Sequence, residues 1–83
     1  MKYTPKFTSN FLNKTKKLKR GARRELKKRV EKILEKPSLG KPLRYSYKNL
    51  RSERSKKFRI IYEIENRTVI FHTFEHGEKV YKR

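Results

Sequence analysis

The side chains that could take part in chemistry are mostly cationic. The sequence contains 26 Lys and Arg residues against 8 Asp and Glu. Two arginines, Arg54 and Arg59, stand on either side of a predicted tight turn, so they lie near each other across a hairpin. Guanidinium groups bind phosphate oxygens through fixed, planar N–H donors. Of the two histidines, His72 is expected to be structural, whereas His76 follows the last predicted strand and suits proton transfer.

Several kinds of active site are excluded by residue type. The chain has no cysteine, which removes disulfides, thiol nucleophiles and cysteine-bound zinc. No phosphate-binding glycine loop, zinc-ligand spacing, Ser/His/Asp set or carboxylate pair is present, so we expect neither metal nor cofactor. No apolar run approaches the roughly 18 residues that span a bilayer, and none resembles a signal peptide. We therefore expect a cytoplasmic protein without membrane contacts.

The net charge indicates the kind of partner. A formal charge of +18 on 83 residues destabilises the compact state by self-repulsion. A surface adapted to heat would mix Lys with Glu, but acidic residues are few here. We expect a polyanionic partner, namely nucleic acid, an acidic protein or both. Hydrophobic residues make up 33% of the chain, which predicts a single domain over residues 1–83 with a minimal core.

The first half of the chain reads as a strand and two helices. Apolar residues of the second helix recur at helical spacing, at Leu26, Val30, Ile33 and Leu34. Gly21 stands where a glycine often ends a helix. The predicted elements are a strand over residues 2–7, a helix from Thr8 or Ser9 to about Arg20, and a helix over residues 22–35.

The second half reads as an antiparallel meander. Apolar and polar residues alternate over three segments, which predicts strands over residues 50–54, 58–64 and 68–74 with tight turns at 55–57 and 65–67. The connection before them, residues 37–49, is expected to place Leu39 and Leu43 under the helices. The fold class is therefore α+β, in the order β-α-α-β-β-β, with a helix hairpin on one face of a twisted, mostly antiparallel sheet.

Three segments together resemble the RelE/ParE-type toxins. Residues 37–43 are similar to the family's P-x-x-G-x-x-L connection. Residues 50–54 and 58–62 are similar to its L-R-S-x-R and Y-R-I-I-Y core, and residues 76–81 to its closing H-R-x-x-V-Y. The resemblance covers roughly residues 24–83, with a compatible β-α-α start before it.

The resemblance implies a toxin of a type II toxin–antitoxin system. RelE-like members are ribosome-dependent, metal-independent endoribonucleases that cut mRNA and are held inactive by an acidic, RelB-like antitoxin. ParE-like members inhibit DNA gyrase instead, and a catalytically weak relative would bind RNA or the ribosome. The fold supports more than one target, so these alternatives stay open.

The resemblance also implies roles for individual residues. Arg59 and Arg54 become phosphate clamps, with Arg51 as a backbone contact, while His76 and Tyr81 act in acid–base chemistry or stacking. Gly77 stands where the family has an arginine that helps to stabilise the negative charge of the transition state. Either this member is catalytically weak, or neighbouring cations rebuild the clamp, or the protein acts by binding. The tail cations are the candidates to replace that arginine, and the helix cations are candidates for contacts with RNA phosphates: Lys79, Lys82 and Arg83, then Lys16, Lys17, Arg20 and Arg23.

Overall fold

Two helices and a five-stranded sheet make up the computed structural model, which describes residues 3–42, 49–55 and 57–76. The sheet order is β1-β5-β4-β3-β2. The α+β class with two helices against a mostly antiparallel sheet is confirmed, and a two-residue strand is added in the connection. The elements are β1 (Thr4–Phe7), α1 (Ser9–Lys16), α2 (Arg20–Glu35), a 3₁₀ turn (Pro37–Leu39), β2 (Lys41–Pro42), β3 (Leu50–Arg54), β4 (Phe58–Glu65) and β5 (Thr68–His76).

The last described strand lies inside the sheet. β5 pairs antiparallel with β4 on one side and parallel with β1 on the other. β3 pairs antiparallel with both β4 and β2. The three predicted strands of the meander are confirmed, and β4 and β5 extend beyond the predicted ends to Glu65 and His76.

The helices cover one face of the sheet and form the core with it. The apolar stripe of α2 is buried, as its helical spacing predicts. Phe11 supplies the buried residue of α1 and contacts the rings of Phe71 and Phe74. From the sheet, alternate residues of β4 and three residues of β5 complete the core: Phe58, Ile60, Tyr62, Val69, Phe71 and Phe74.

A β-bulge at His72 changes which residues of β5 face the helices. Ile61 pairs with Thr73 and Tyr62 with Phe71, so His72 is the extra residue on β5. A bulge shifts the alternation of side chains by one residue. Val69 and Phe71 face the core before the bulge, and Phe74 faces it afterwards.

The connection between the helices differs from the prediction. α1 ends at Lys16, because the next two N–H groups close its last turn with tighter hydrogen bonds: Lys17 donates to the Lys14 carbonyl and Leu18 to the Thr15 carbonyl. Leu18 then packs against the core. Gly21 is the second residue of α2 rather than the end of α1, and a Cβ there would meet no atom within 4 Å. The prediction that Gly21 ends the first helix is therefore wrong.

The connection after α2 is fastened by a buried tyrosine. The Tyr62 hydroxyl donates to the Pro37 carbonyl oxygen at 2.5 Å and accepts from the Gly40 N–H at 3.0 Å. Burial raises the pKa of this hydroxyl, and the Gly40 hydrogen bond partly opposes that effect. Pro37 is buried, whereas Leu39 is 45% exposed, so the prediction that Leu39 lies under the helices is wrong. The corresponding prediction for Leu43 lies outside the described residues.

Candidate functional site

The face of the sheet opposite the helices carries a row of charged residues across three strands. We call this face the outer face. Arg54 of β3 pairs with Arg59 of β4, and Arg59 pairs with Glu75 of β5. Directly paired residues of antiparallel strands point to the same side, with Cβ atoms about 5 Å apart. The structure therefore brings together the two predicted phosphate clamps and adds a carboxylate beside them.

The geometry of this row leaves its charged groups accessible. Arg59 Nη1 lies 3.7 Å from Glu75 Oε1, and the two side chains are 40% and 58% exposed. Ion pairs this exposed contribute little to stability, so a ligand can displace them at small cost. Arg54 is exposed and stands directly opposite Arg59. Like charges in this position repel each other and destabilise the sheet, so binding of an anion between them is favourable.

Two polar atoms beneath the row are buried without a hydrogen bond. They are Arg59 Nε and Thr73 Oγ1, which find no partner among the residues that the structure describes. Thr73 pairs with Ile61, one step along the outer face from the Arg59–Glu75 pair. Unsatisfied buried polar atoms are uncommon in folded proteins, and a catalytic role is one of the recognised reasons for them. Their place beneath the row marks this part of the outer face as a candidate site.

The neighbouring part of the outer face is occupied by internal contacts. Glu63 Oε1 lies 2.9 Å from His72 Nε2, and the His72 carbonyl accepts a hydrogen bond from the Thr8 hydroxyl at 2.8 Å. This arrangement gives His72 a structural position in the bulge, in line with its expected role.

His76 lies on the other side of the sheet from the arginine row. It pairs with Phe58, whose ring it stacks on at a centroid distance of 4.7 Å. Its side chain lines a recess at the start of α2 that also contacts Lys19, Glu25 and Lys57. The bulge at His72 produces this placement, because strict alternation from Phe71 would put His76 on the outer face with Arg59.

Arg51 also faces the helix side, where it supports the fold. It pairs with buried Tyr62, and its Nη1 donates to the Gly40 carbonyl oxygen at 2.7 Å. Its predicted contact with RNA would compete with that hydrogen bond. Of the helix candidates, Arg23 Nη2 donates to the Leu18 carbonyl oxygen at 3.1 Å, while all four side chains are exposed: Lys16, Lys17, Arg20 and Arg23.

The remaining predicted residues belong to the tail. Tyr81, Lys79, Lys82 and Arg83, together with Gly77, lie outside the described residues. Their roles stay predictions, as do the catalytic roles of Arg54, Arg59 and His76.

Sequence reasoning missed Glu75 and Thr73. Glu75 directly precedes the resemblance segment that begins at His76, but nothing in the local pattern shows the bulge that turns both residues to the outer face. Within residues 3–42, 49–55 and 57–76, no group of three or more His, Asp or Glu side chains is placed to hold a metal ion. None of the helices in the described ranges is long and apolar enough to span a membrane.

Comparison with known proteins identifies the class. The sequence profile of the ParE toxin of the type II toxin–antitoxin system parDE matches residues 2–81. Among solved structures, the toxin–antitoxin complex RelBE2 of Mycobacterium tuberculosis matches with a TM-score of 0.77 and 28% identity, over 93% of this chain and 100% of that chain. The intact Escherichia coli RelBE complex matches with a TM-score of 0.73 and 26% identity, over 92% and 98%. No curated protein sequence matches at a significant level.

The fold and the matches define a toxin of a type II toxin–antitoxin system. The chain belongs to the ParE toxin family, whose profile covers nearly its whole length, and structurally to the RelE/ParE superfamily. The YafQ structure from Escherichia coli shares the fold, with a TM-score of 0.65 and 16% identity over 96% of this chain and 99% of that one. The resemblance seen in the sequence is thereby confirmed at the level of the superfamily.

Proposed function

We propose that this toxin is a ribosome-dependent, metal-independent endoribonuclease that cuts mRNA and so inhibits translation. The observation that carries the proposal is the pair of arginines, Arg54 and Arg59, side by side on the outer face. The net charge of +18 and the likeness to RelE structures support a ribosomal RNA environment over a neutral protein target.

The arginine pair can supply much of what metal-free RNA cleavage requires. The phosphate gains negative charge as the 2′-oxygen attacks, and fixed cations aimed at that position stabilise the developing charge. They also hold the attacking oxygen, phosphorus and leaving oxygen in line. Arg54 and Arg59 act as this clamp, and Tyr81 is the candidate for stacking on a base or protonating the leaving group.

Two partners follow from this proposal. The exposed helix cations Lys16, Lys17, Arg20 and Arg23 contact phosphates of ribosomal RNA while the outer face holds mRNA. A RelB-like antitoxin, acidic enough to offset the charge, keeps the toxin inactive. The toxin–antitoxin complexes among the matched structures support that partner.

A cleavage assay on ribosomes loaded with mRNA tests the function. Wild-type protein is expected to cut the mRNA, and Arg59→Ala to cut it about 100-fold more slowly, because a clamp donor for the transition state is lost. Arg67→Ala is the matched control, since Arg67 is exposed in the turn between β4 and β5, at the far end of the sheet. Intact mRNA with wild-type protein, or equal rates for all three proteins, would contradict the proposal.

A second candidate function is inhibition of DNA gyrase. It is favoured by the family profile, which is that of a ParE toxin. This reading needs no catalytic groups, so the arginine row would act in binding alone. A supercoiling assay separates the two candidates: inhibited gyrase together with untouched mRNA supports the ParE-like activity.

A further inference from the structure

We propose that Glu75 is the general base of the cleavage reaction, an inference that rests on the proposed endoribonuclease function. The carboxylate lies in the same cross-strand row as the two arginines that hold the phosphate. An RNA phosphate bound by Arg59 carries its 2′-hydroxyl within a few ångströms of that phosphorus. Glu75 is therefore the carboxylate placed to accept the proton of that 2′-hydroxyl.

Glu75 has an available oxygen for this task. Its separation from Arg59 Nη1, 3.7 Å, is too long for a hydrogen bond. The other two nearby carboxylates are excluded for different reasons. Glu63 is hydrogen-bonded to His72 at 2.9 Å, and Glu53 lies on the opposite, helix-facing side of the sheet. Glu65 shares the outer face but stands six residues along β4 from Arg59, about 20 Å away at strand spacing.

The unpaired atoms beneath the row fit the same site. Arg59 Nε belongs to the row itself, and Thr73 precedes Glu75 by two residues on the same face of β5. A bound phosphodiester would draw the guanidinium away from Glu75 and toward itself. That movement would leave the carboxylate facing the 2′-hydroxyl.

The chemical step balances without a metal. The 2′-O–H bond breaks and its proton passes to a Glu75 carboxylate oxygen while the 2′-oxygen forms a bond to phosphorus. The bond from phosphorus to the 5′-oxygen breaks, and that oxygen keeps the electron pair and takes a proton from water. The products are a 2′,3′-cyclic phosphate and a 5′-hydroxyl, and Glu75 returns its proton to solvent.

Two roles for Glu75, a general base and a carboxylate without a catalytic function, predict opposite effects of removing its charge on the cleavage rate. An idle carboxylate repels the RNA backbone, so its removal would tighten binding and leave the cleavage rate unchanged or faster. A base accelerates proton transfer by about 100- to 10,000-fold, so its removal would slow the chemical step even though binding is equal or tighter. Binding and single-turnover cleavage therefore have to be measured separately.

The test compares Glu75→Gln with Glu65→Gln on ribosomes loaded with mRNA. We expect Glu75→Gln to lose about 100-fold or more in the single-turnover rate at saturating ribosomes, with affinity equal to wild type or higher. Glu65→Gln is the matched control, because it removes the same charge from the same face, and it should cleave at the wild-type rate. Added formate should partly restore cleavage to Glu75→Ala, which a misfolded protein would not allow.

The outcomes separate the two levels of the proposal. If wild type cleaves and Glu75→Gln cleaves equally fast, Glu75 is not the base and the proposed function stands. If wild type leaves the mRNA intact, the proposed function fails and the inference fails with it.

Discussion

At the scale of single residues, Tyr62 links the sheet to the connection that follows α2. Its ring is fully buried, and its hydroxyl satisfies both the Pro37 carbonyl oxygen and the Gly40 N–H. Removing one partner from a buried hydrogen bond leaves the other group without solvent or protein contact. The Tyr62 hydroxyl therefore stabilises the P-x-x-G segment, and the resemblance there reflects packing rather than chemistry.

Replacement of Tyr62 by phenylalanine should destabilise the fold. We expect Tyr62→Phe to lower the free energy of unfolding by about 1–3 kcal/mol, because two backbone groups lose their partner. Urea unfolding measures this as a lower midpoint with an unchanged slope. Tyr3→Phe is the matched control, since Tyr3 packs only partly against the core. An unchanged midpoint for Tyr62→Phe would contradict the assigned hydrogen bonds.

The same hydroxyl gives that prediction a pH dependence. The folded pKa of Tyr62 lies above its unfolded value of about 10. The contribution of the Tyr62 hydroxyl to the free energy of unfolding is thus fully present below the unfolded pKa and is lost as pH rises through the folded pKa. Wild type should lose stability at alkaline pH, and the difference between wild type and Tyr62→Phe should narrow there.

At the scale of secondary-structure elements, the predictable parts are those with unbroken periodicity. The stripe of α2 and the alternation of Phe58, Ile60 and Tyr62 in β4 predicted the core faces correctly. β5 could not be read in this way, because the bulge at His72 shifts its alternation. The predicted site was therefore incomplete: Arg54 and Arg59 meet as expected, whereas His76 faces the helices and Glu75 joins the arginines.

Two glycines, one in the first turn of α2 and one beyond its end, should respond oppositely to the same substitution. Gly21→Ala should stabilise by about 0.5–1 kcal/mol, because Gly21 is helical, exposed and has open space around its Cα. Gly40→Ala should destabilise, since its Cβ would collide with the Tyr62 hydroxyl and ring. Thermal unfolding of both variants checks the pair, and two shifts of the same sign would contradict it.

At the scale of the whole molecule, charge repulsion opposes compactness. Only four ion pairs involve the described residues, and one of them needs a protonated histidine. With 26 cationic side chains and a small core, the folded state is sensitive to screening. The composition alone was enough to predict this property, because it depends on no particular contact.

Added salt should therefore have opposite effects on folding and on binding. Raising NaCl from 0.01 to 0.1 M shortens the screening length from about 30 to about 10 Å, so the melting temperature of the free toxin should rise. Its affinity for ribosomes should fall over the same range, because releasing counterions from the RNA into a more concentrated salt solution is less favourable. Sucrose at matched osmolality is the control for general stabilisation. A melting temperature insensitive to salt would show that repulsion is unimportant.

The position of β5 has a consequence for how the toxin is made. This strand lies between β1 and β4 and carries Val69, Phe71 and Phe74 into the core, so β1 has no strand partner until residues 68–76 have been synthesised. Pairing between strands more than 60 residues apart in sequence forms slowly, and the first strand cannot begin it alone. A growing chain therefore cannot assemble the outer face before residues 68–76 have been synthesised. Folding of the nascent chain is thereby tied to the synthesis of residues 68–76, rather than proceeding stepwise from its first strand.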